Sequence, residues 1–219
     1  MKTKFLHIAT ALLFAGFTSS CSDFLDRYPL DELSDSSFWK TENDAMMAVT
    51  DIYGCLPTWD QDEDINSDNA VHGIKWAAGN ISKGIYDPMD QSWAGSYTPI
   101  RQCNLVLEKV KDIEMSDESR KKIEGQAYFF RAFVYFNLIR SFGDVPYIDK
   151  PLNLTDVEDI TRTPREEVYA KVMADFDKAI EYLPEEWDAA NTPRVTKGAA
   201  LAMNCLLYTS PSPRDTERS

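Results

Sequence analysis

The chain has 219 residues, 36 acidic and 23 basic side chains, a formal charge of −13, and 43% hydrophobic with 12% aromatic content. That balance is globular, too apolar and aromatic for a disordered chain. Its acidic excess excludes nucleic acid as a partner and binding to anionic lipid by charge. Sugars, peptides, cations and other proteins remain, and the length suits one domain or slightly more.

Residues 1–20 open with Lys2 and Lys4, run apolar from Phe5 to Phe17 and close on Thr18, Ser19 and Ser20. A basic start, a short apolar stretch and small residues before a cleavage point predict a secretory signal peptide. The run is shorter than the about 20 residues that span a bilayer. Small residues directly before Cys21 resemble a bacterial lipobox, which makes Cys21 the lipid attachment site and first mature residue. Thr18 stands where leucine is usual, and ordinary cleavage nearby with Cys21 as a free thiol is the alternative.

A helix is expected from Thr41, whose hydroxyl caps it with Asp44 three residues on, and Ala45, Val49, Ile52, Tyr53 and Leu56 share one face before Pro57. From Thr58 to Tyr86 the periodicity is lost in a polar, glycine-punctuated stretch holding Trp59 and Trp76. Long irregular segments in compact domains are commonly functional or mobile. Within it Asp60, Asp62 and Asp64 alternate like a calcium loop but lack its glycine and terminal glutamate, so a solvated acidic loop is expected.

A second helix is expected from about Ser92 to Asp112, carrying Ile100, Asn104, Leu107 and Val110. The third, Ser116 to about Ser141, is apolar on all sides around Tyr128–Ile139, which means burial between other helices, since Arg131 and Asn137 interrupt any membrane reading. Gly143 suits a left-handed C-cap, and Pro146 stops the chain. Thr163-Pro164-Arg165-Glu166 reads as a capping box opening a stripe of Val168, Val172, Phe176, Ala179, Ile180 and Leu183. A last helix begins at Thr196, with Ala199 to Met203 expected to be buried. The fold class is all-α, with helix-turn-helix pairs of tetratricopeptide type and long irregular loops.

Beyond Met203 the pattern changes, and Cys205 to Asp215 resembles one reading frame of a transposase sequencing adaptor. Residues 205–219 are therefore expected to be read-through and not native, although Leu206, Leu207 and Tyr208 can also continue a helix. With Cys21 and Cys205 set aside, Cys55 and Cys103 remain, either as a pair in an exported protein or as small buried hydrophobes. His7 and His72 are the only histidines, too few for a zinc site or a histidine-based triad, and no metal or other cofactor is expected.

The ordered string of segments carries a resemblance. Cys21-Ser22-Asp23-Phe24-Leu25-Asp26 with Pro29, Phe38-Trp39-Lys40-Thr41-Glu42, the Ile100/Asn104 pair and Glu124 to Ala132 come first. Phe142 to Pro146, Arg162 to Tyr169 and Pro193 to Ala200 follow. Together they resemble the SusD/RagB family of bacterial surface lipoproteins, over residues 21 to about 203. The resemblance implies a lipid-anchored, surface-facing outer-membrane protein of a Gram-negative bacterium. Its role would be to bind nutrient oligosaccharides, or peptides, and deliver them to a SusC-like TonB-dependent transporter. It also implies that 21–204 is the incomplete, N-terminal part of a larger α-helical domain, because members are more than twice this length.

Sugar rings present apolar C–H faces to aromatic rings and hydroxyls to amides, so Trp76 with Asn80, assisted by Tyr86 or Trp59, makes a ligand platform. The alternative is that these side chains pack the segment against the helices. Arg131 is expected to pair with a carboxylate or cap carbonyls, because an unpaired buried charge is costly. Asp144 reads as a turn residue, and no carboxylate pair is nominated for glycoside hydrolysis without geometry, so no catalytic residue and no enzyme is expected. A lipid-anchored helical-repeat scaffold for other proteins, or a secreted glycoside hydrolase, are the competing readings.

Overall fold

The computed structural model describes residues 38–56, 93–153, 156 and 159–209. By its contacts the chain divides after Phe38, and the helices below all belong to the unit that starts at Trp39. Five α-helices occur among the described residues: α1 Glu42–Ile52, α2 Trp93–Lys109, α3 Asp117–Phe142, α4 Arg165–Tyr182 and α5 Lys197–Thr209. Short 3-10 turns, Tyr53–Cys55 and Val110–Asp112, extend α1 and α2. The all-α expectation holds, and the β content of the described residues is one isolated bridge between Val145 and Thr163.

Local chemistry explains most boundaries. Asp44 N–H donates to Thr41 Oγ1 at 3.3 Å while Thr41 N–H donates to the Asp44 carboxylate at 2.8 Å, a reciprocal cap on α1. Ser116 Oγ accepts from Ser119 N–H at 3.1 Å and starts α3. Gly143 ends α3 with φ 71° and ψ −113°, so the positive φ expected there is present but not the regular left-handed helical pair. At α4 the expected capping box is replaced. Thr163 Oγ1 instead accepts from Tyr147 N–H at 3.3 Å, and the Asp144 carboxylate accepts from Arg165 N–H at 2.8 Å. A carboxylate brought from 21 positions upstream satisfies the helix terminus, which a local pattern cannot show.

Successive helices run antiparallel. Trp93 meets Phe142 and Asn104 meets Arg131 across α2 and α3. Gly125 meets Tyr182 and Arg131 meets Asp175 across α3 and α4, whose contact is the most extensive among the described helices. Tyr169 meets Leu207 and Asp177 meets Asn204 across α4 and α5. The tetratricopeptide-like pairing predicted for the chain follows from this alternation.

The core gathers Ala45, Val49 and Ile52 of α1, Ile100, Cys103 and Val106 of α2, the all-round apolar α3, and Val168, Val172 and Phe176 of α4. α3 buries residues on every side, as its sequence requires. Two expectations fail at the edges. Leu56 is 39% exposed because it lies past the 3-10 turn and off the α1 face. α5 buries only Ala200 and Leu207, leaving Leu201 45% and Leu206 52% exposed, because α4 supplies almost all of its packing. The helix also runs on through Cys205–Thr209, with Leu207 fully buried and its carbonyl accepting from Tyr169 Oη at 2.6 Å.

A buried polar network ties α2, α3 and α4 together. Arg131 Nε and Nη2 donate to the two Asp175 oxygens at 2.7 and 2.6 Å, and Nη1 donates to Asn104 Oδ1 at 2.8 Å. Asn104 Nδ2 donates to the Ile148 carbonyl at 2.9 Å, and Tyr135 Oη accepts from Ile148 N–H at 2.7 Å. Burial pushes the Asp175 carboxyl upward against the Arg131 hydrogen bonds that pull it down. Burial also opposes the charge of Arg131, but Asp175 holds the guanidinium protonated above its ordinary value. The carboxylate expected beside Arg131 is thus Asp175.

Where α3 and α4 close most tightly, Gly125 leaves no room for a side chain. A Cβ there would sit 3.0 Å from Tyr182 Cβ and 3.1 Å from Leu183 Cγ. Replacing Gly125 with alanine favours the helix but forces the α4 end outward, so Gly125→Ala is expected to lower unfolding free energy by about 1–3 kcal/mol in urea titrations. An unchanged or raised urea midpoint would show that the pair has slack.

Candidate functional site

An open cleft of about 510 Å³ lies between α1, α2 and α3. Ligand pockets usually fall at about 300–1,000 Å³, so its size suits a short oligomer. Asp51, Gly54 and Cys55 form one wall, Gly95, Ser96, Thr98, Pro99 and Gln102 a second, and Phe133, Val134 and Asn137 the floor. The residues of the second wall fall on one face of α2 at helical spacing.

The chemistry of this lining is mixed in a useful way. Gln102 Nε2 donates to Asp51 Oδ2, which fixes an amide and a carboxylate side by side. Asn137 Nδ2 donates to the Phe133 carbonyl at 3.2 Å, and this polar side chain from the mostly apolar stretch Tyr128–Ile139 lines the cleft. Pro99 has no N–H to give the Gly95 carbonyl one turn earlier, so a backbone acceptor in the wall lacks its intrahelical donor. Phe133 offers a half-buried aromatic surface, stacked on Phe129 at 6.3 Å. An aromatic floor with amide, carboxylate and hydroxyl groups around it is a surface that sugars fit.

A second depression of about 390 Å³ shares Cys55, Phe133 and Asn137 and extends the cleft toward Met203 and Leu206 of α5. Among the described residues no group of three or more His, Cys, Asp or Glu side chains is placed to hold a metal ion. No described helix is long and apolar enough to cross a membrane.

Of the site residues read from sequence, Cys21, Trp59, Trp76, Asn80 and Tyr86 lie outside the described residues, as do Asp60, Asp62, Asp64 and His72. The segment that carries the tryptophans leaves the described structure after Leu56 and re-enters it at Trp93, and residues just inside both points line the cleft. Trp93 itself is a packing residue. It meets Phe142 edge-on at 4.8 Å and Tyr97 at 5.9 Å, with the Arg162 guanidinium 5.4 Å from its ring centre. Asp144 caps α4, which agrees with its reading as a structural residue. The cleft residues Gln102, Phe133 and Asn137 were not singled out by sequence as ligand contacts. Asn137 within the apolar stretch Tyr128–Ile139 was the available signal.

Both Cys55 and Cys103 are free thiols. Burial pushes Cys55 up to about 11 and Cys103 higher still. A thiol reacts as its thiolate, so both are expected to resist alkylation in the native protein. Iodoacetamide at pH 8 followed by peptide mapping should modify Cys55 at least about a hundredfold more slowly than an unperturbed thiol of pKa about 8.5. Rapid native labelling of Cys55, or a disulfide between it and Cys103, would contradict this burial.

Comparison with known proteins places the chain. The family model for SusD-like proteins, described as starch-binding and associating with the outer membrane, matches residues 23–208. The chain belongs to this SusD-like family. It is 30% identical to a SusD-like protein, P2, of Formosa agariphila, over 92% of this chain and 42% of that relative. A SusD-like protein of Bacteroides fragilis superposes with a TM-score of 0.71 at 27% identity, covering 83% of this chain and 37% of its own. A SusD-like carbohydrate-binding protein of the same species gives 0.65 at 25% identity, covering 78% and 37%. The chain therefore spans about two fifths of the length of the relatives it matches.

Proposed function

We propose that this chain is the N-terminal part of a surface lipoprotein that binds nutrient oligosaccharides and delivers them to a SusC-like TonB-dependent transporter. The observation that carries the reading is membership of the SusD-like family over residues 23–208. The leader with Lys2, Lys4 and its apolar run, followed by Cys21, supports export and lipid anchoring at the outer membrane, facing the cell surface. A lid-like partner of a transporter needs affinity without chemistry, and we read the chain as a binding protein, not an enzyme. Three of the described acids have structural partners: Asp175 holds Arg131, Asp144 caps α4 and Asp44 caps α1.

Trp76 with Asn80, Tyr86 and Trp59 is assigned as the aromatic and amide platform for the sugar, on the strength of side-chain chemistry. The cleft bordered by Gly54 and Gly95 adds Phe133, Asn137 and Gln102 near the points where that segment joins the helices. Calorimetric titration of the full chain with a panel of soluble glycans, maltohexaose and laminarihexaose included, is expected to give binding to at least one. Trp76→Ala should weaken it by at least about tenfold, the scale of a lost aromatic contact. A folded chain silent to every glycan would contradict the reading, and binding untouched by Trp76→Ala would contradict the platform.

A further inference from the structure

The cleft between α1, α2 and α3 holds an uneven balance of hydrogen-bonding groups. Both carboxamides in its lining commit a donor to the protein: Gln102 Nε2 donates to Asp51 Oδ2, and Asn137 Nδ2 to the Phe133 carbonyl at 3.2 Å. Their acceptor ends, Gln102 Oε1 and Asn137 Oδ1, have no described donor, and neither is sealed in the core. The Gly95 carbonyl, left without an intrahelical donor by Pro99, adds a backbone acceptor to the same wall. The Asp51 carboxylate adds the strongest one.

The charge of the cleft is equally one-sided. Among the described residues that line it, Asp51 is the one charged group, and no lysine, arginine or histidine is present. None of the ion pairs between described residues includes Asp51. Cys55 contributes a neutral thiol, pushed up to about 11 by burial. Arg140 belongs to the adjoining depression, where its guanidinium lies 5.9 Å from the Phe136 ring centre. The field of a chain with formal charge −13 has the same sign as Asp51 and reinforces it.

A lining rich in acceptors requires a ligand rich in donors. Sugar hydroxyls donate as well as accept, whereas ionised carboxylates and sulfates only accept and are repelled by a fixed carboxylate. We infer that the cleft is a subsite for uncharged, hydroxyl-rich sugar units, and that Asp51 is the residue that excludes acidic ones. The C–H face of a ring rests on Phe133, and its hydroxyls donate to Asp51, Gln102 Oε1 and Asn137 Oδ1. The inference rests on the glycan reading above and narrows it to neutral glycans.

The test is calorimetry on the full chain with maltohexaose and laminarihexaose, and with both hexaoses oxidised at C6 so that primary alcohols become carboxylates. At least one neutral hexaose is expected to bind, and its oxidised form to bind at least about tenfold more weakly. Asp51→Asn keeps the shape and an acceptor for Gln102 but removes the charge, and should bring the two forms to within about threefold. A side chain at Gly54 would meet no atom within 4 Å, so Gly54→Leu narrows the cleft without touching the core. That variant should weaken the neutral hexaose by at least about tenfold. Both substitutions are at exposed positions, and circular dichroism with the urea midpoint confirms that the variants fold.

Equal affinity for the neutral and oxidised forms, or a discrimination that survives Asp51→Asn, overturns the role of Asp51. Neutral binding untouched by Gly54→Leu overturns the subsite. Binding of trigalacturonate or an oxidised hexaose with both neutral hexaoses silent overturns the inference and leaves the glycan reading intact. Silence toward every probe overturns both.

Discussion

Arg131 and Asp175 meet in the middle of the α3–α4 contact, 6% and 5% exposed, and the arrangement of three helices follows from how that buried pair is completed. Two of the guanidinium's donor groups go to Asp175, and a third reaches Asn104 on α2. Asn104 and Tyr135 pass the constraint on to the Ile148 peptide, which fixes the strap after α3. A buried charge pair adds little net stability compared with apolar residues of the same volume, but leaving half of it unpaired is costly. Registers of α2 or α4 that separate the partners are penalised, so the pair selects one packing among several that would bury similar apolar area.

A second, half-buried network does the same for the other edge. Tyr53 Oη donates to Gln126 Oε1 at 2.9 Å and accepts from Val195 N–H at 2.9 Å. Arg194 reaches Gln126 Oε1 at 3.2 Å and Thr50 Oγ1 at 2.9 Å. Trp187 Nε1 closes the loop by donating to the Val195 carbonyl at 2.7 Å. The connection between α4 and α5 is thereby tied to α1 and α3, and α5 is delivered to its place on α4. With both edges fixed, α2 presents two different faces, one to the open cleft and one to a small apolar recess against the strap after α3.

The helices were legible because their signals are local. The Thr41–Asp44 cap, the Val168–Val172–Phe176 stripe and the all-round apolar α3 need only neighbours within a few residues. The need of Arg131 for a partner was legible from its setting, but the partner was not. Asp175 falls on the same stripe as Val172 and Ala179, where a charge on a buried face was the clue. Asn104 carries the same signature between Cys103 and Val106. What escaped altogether was long-range. Asp144 caps a helix that starts 21 residues later, and the cleft exists only where three helices converge. The burial of α5 was overestimated because composition reports how apolar a helix is, not how many neighbours it has.

A double-mutant cycle in urea on Arg131→Met, Asp175→Leu and the pair together is the most direct measure of whether this buried ion pair organises the fold. Each single change should cost about 3–5 kcal/mol, since each leaves one buried charge alone, and the double variant should recover a large part of that loss. Single variants that each cost less than about 1 kcal/mol, or costs that simply add in the double variant, would contradict the central role given to the pair.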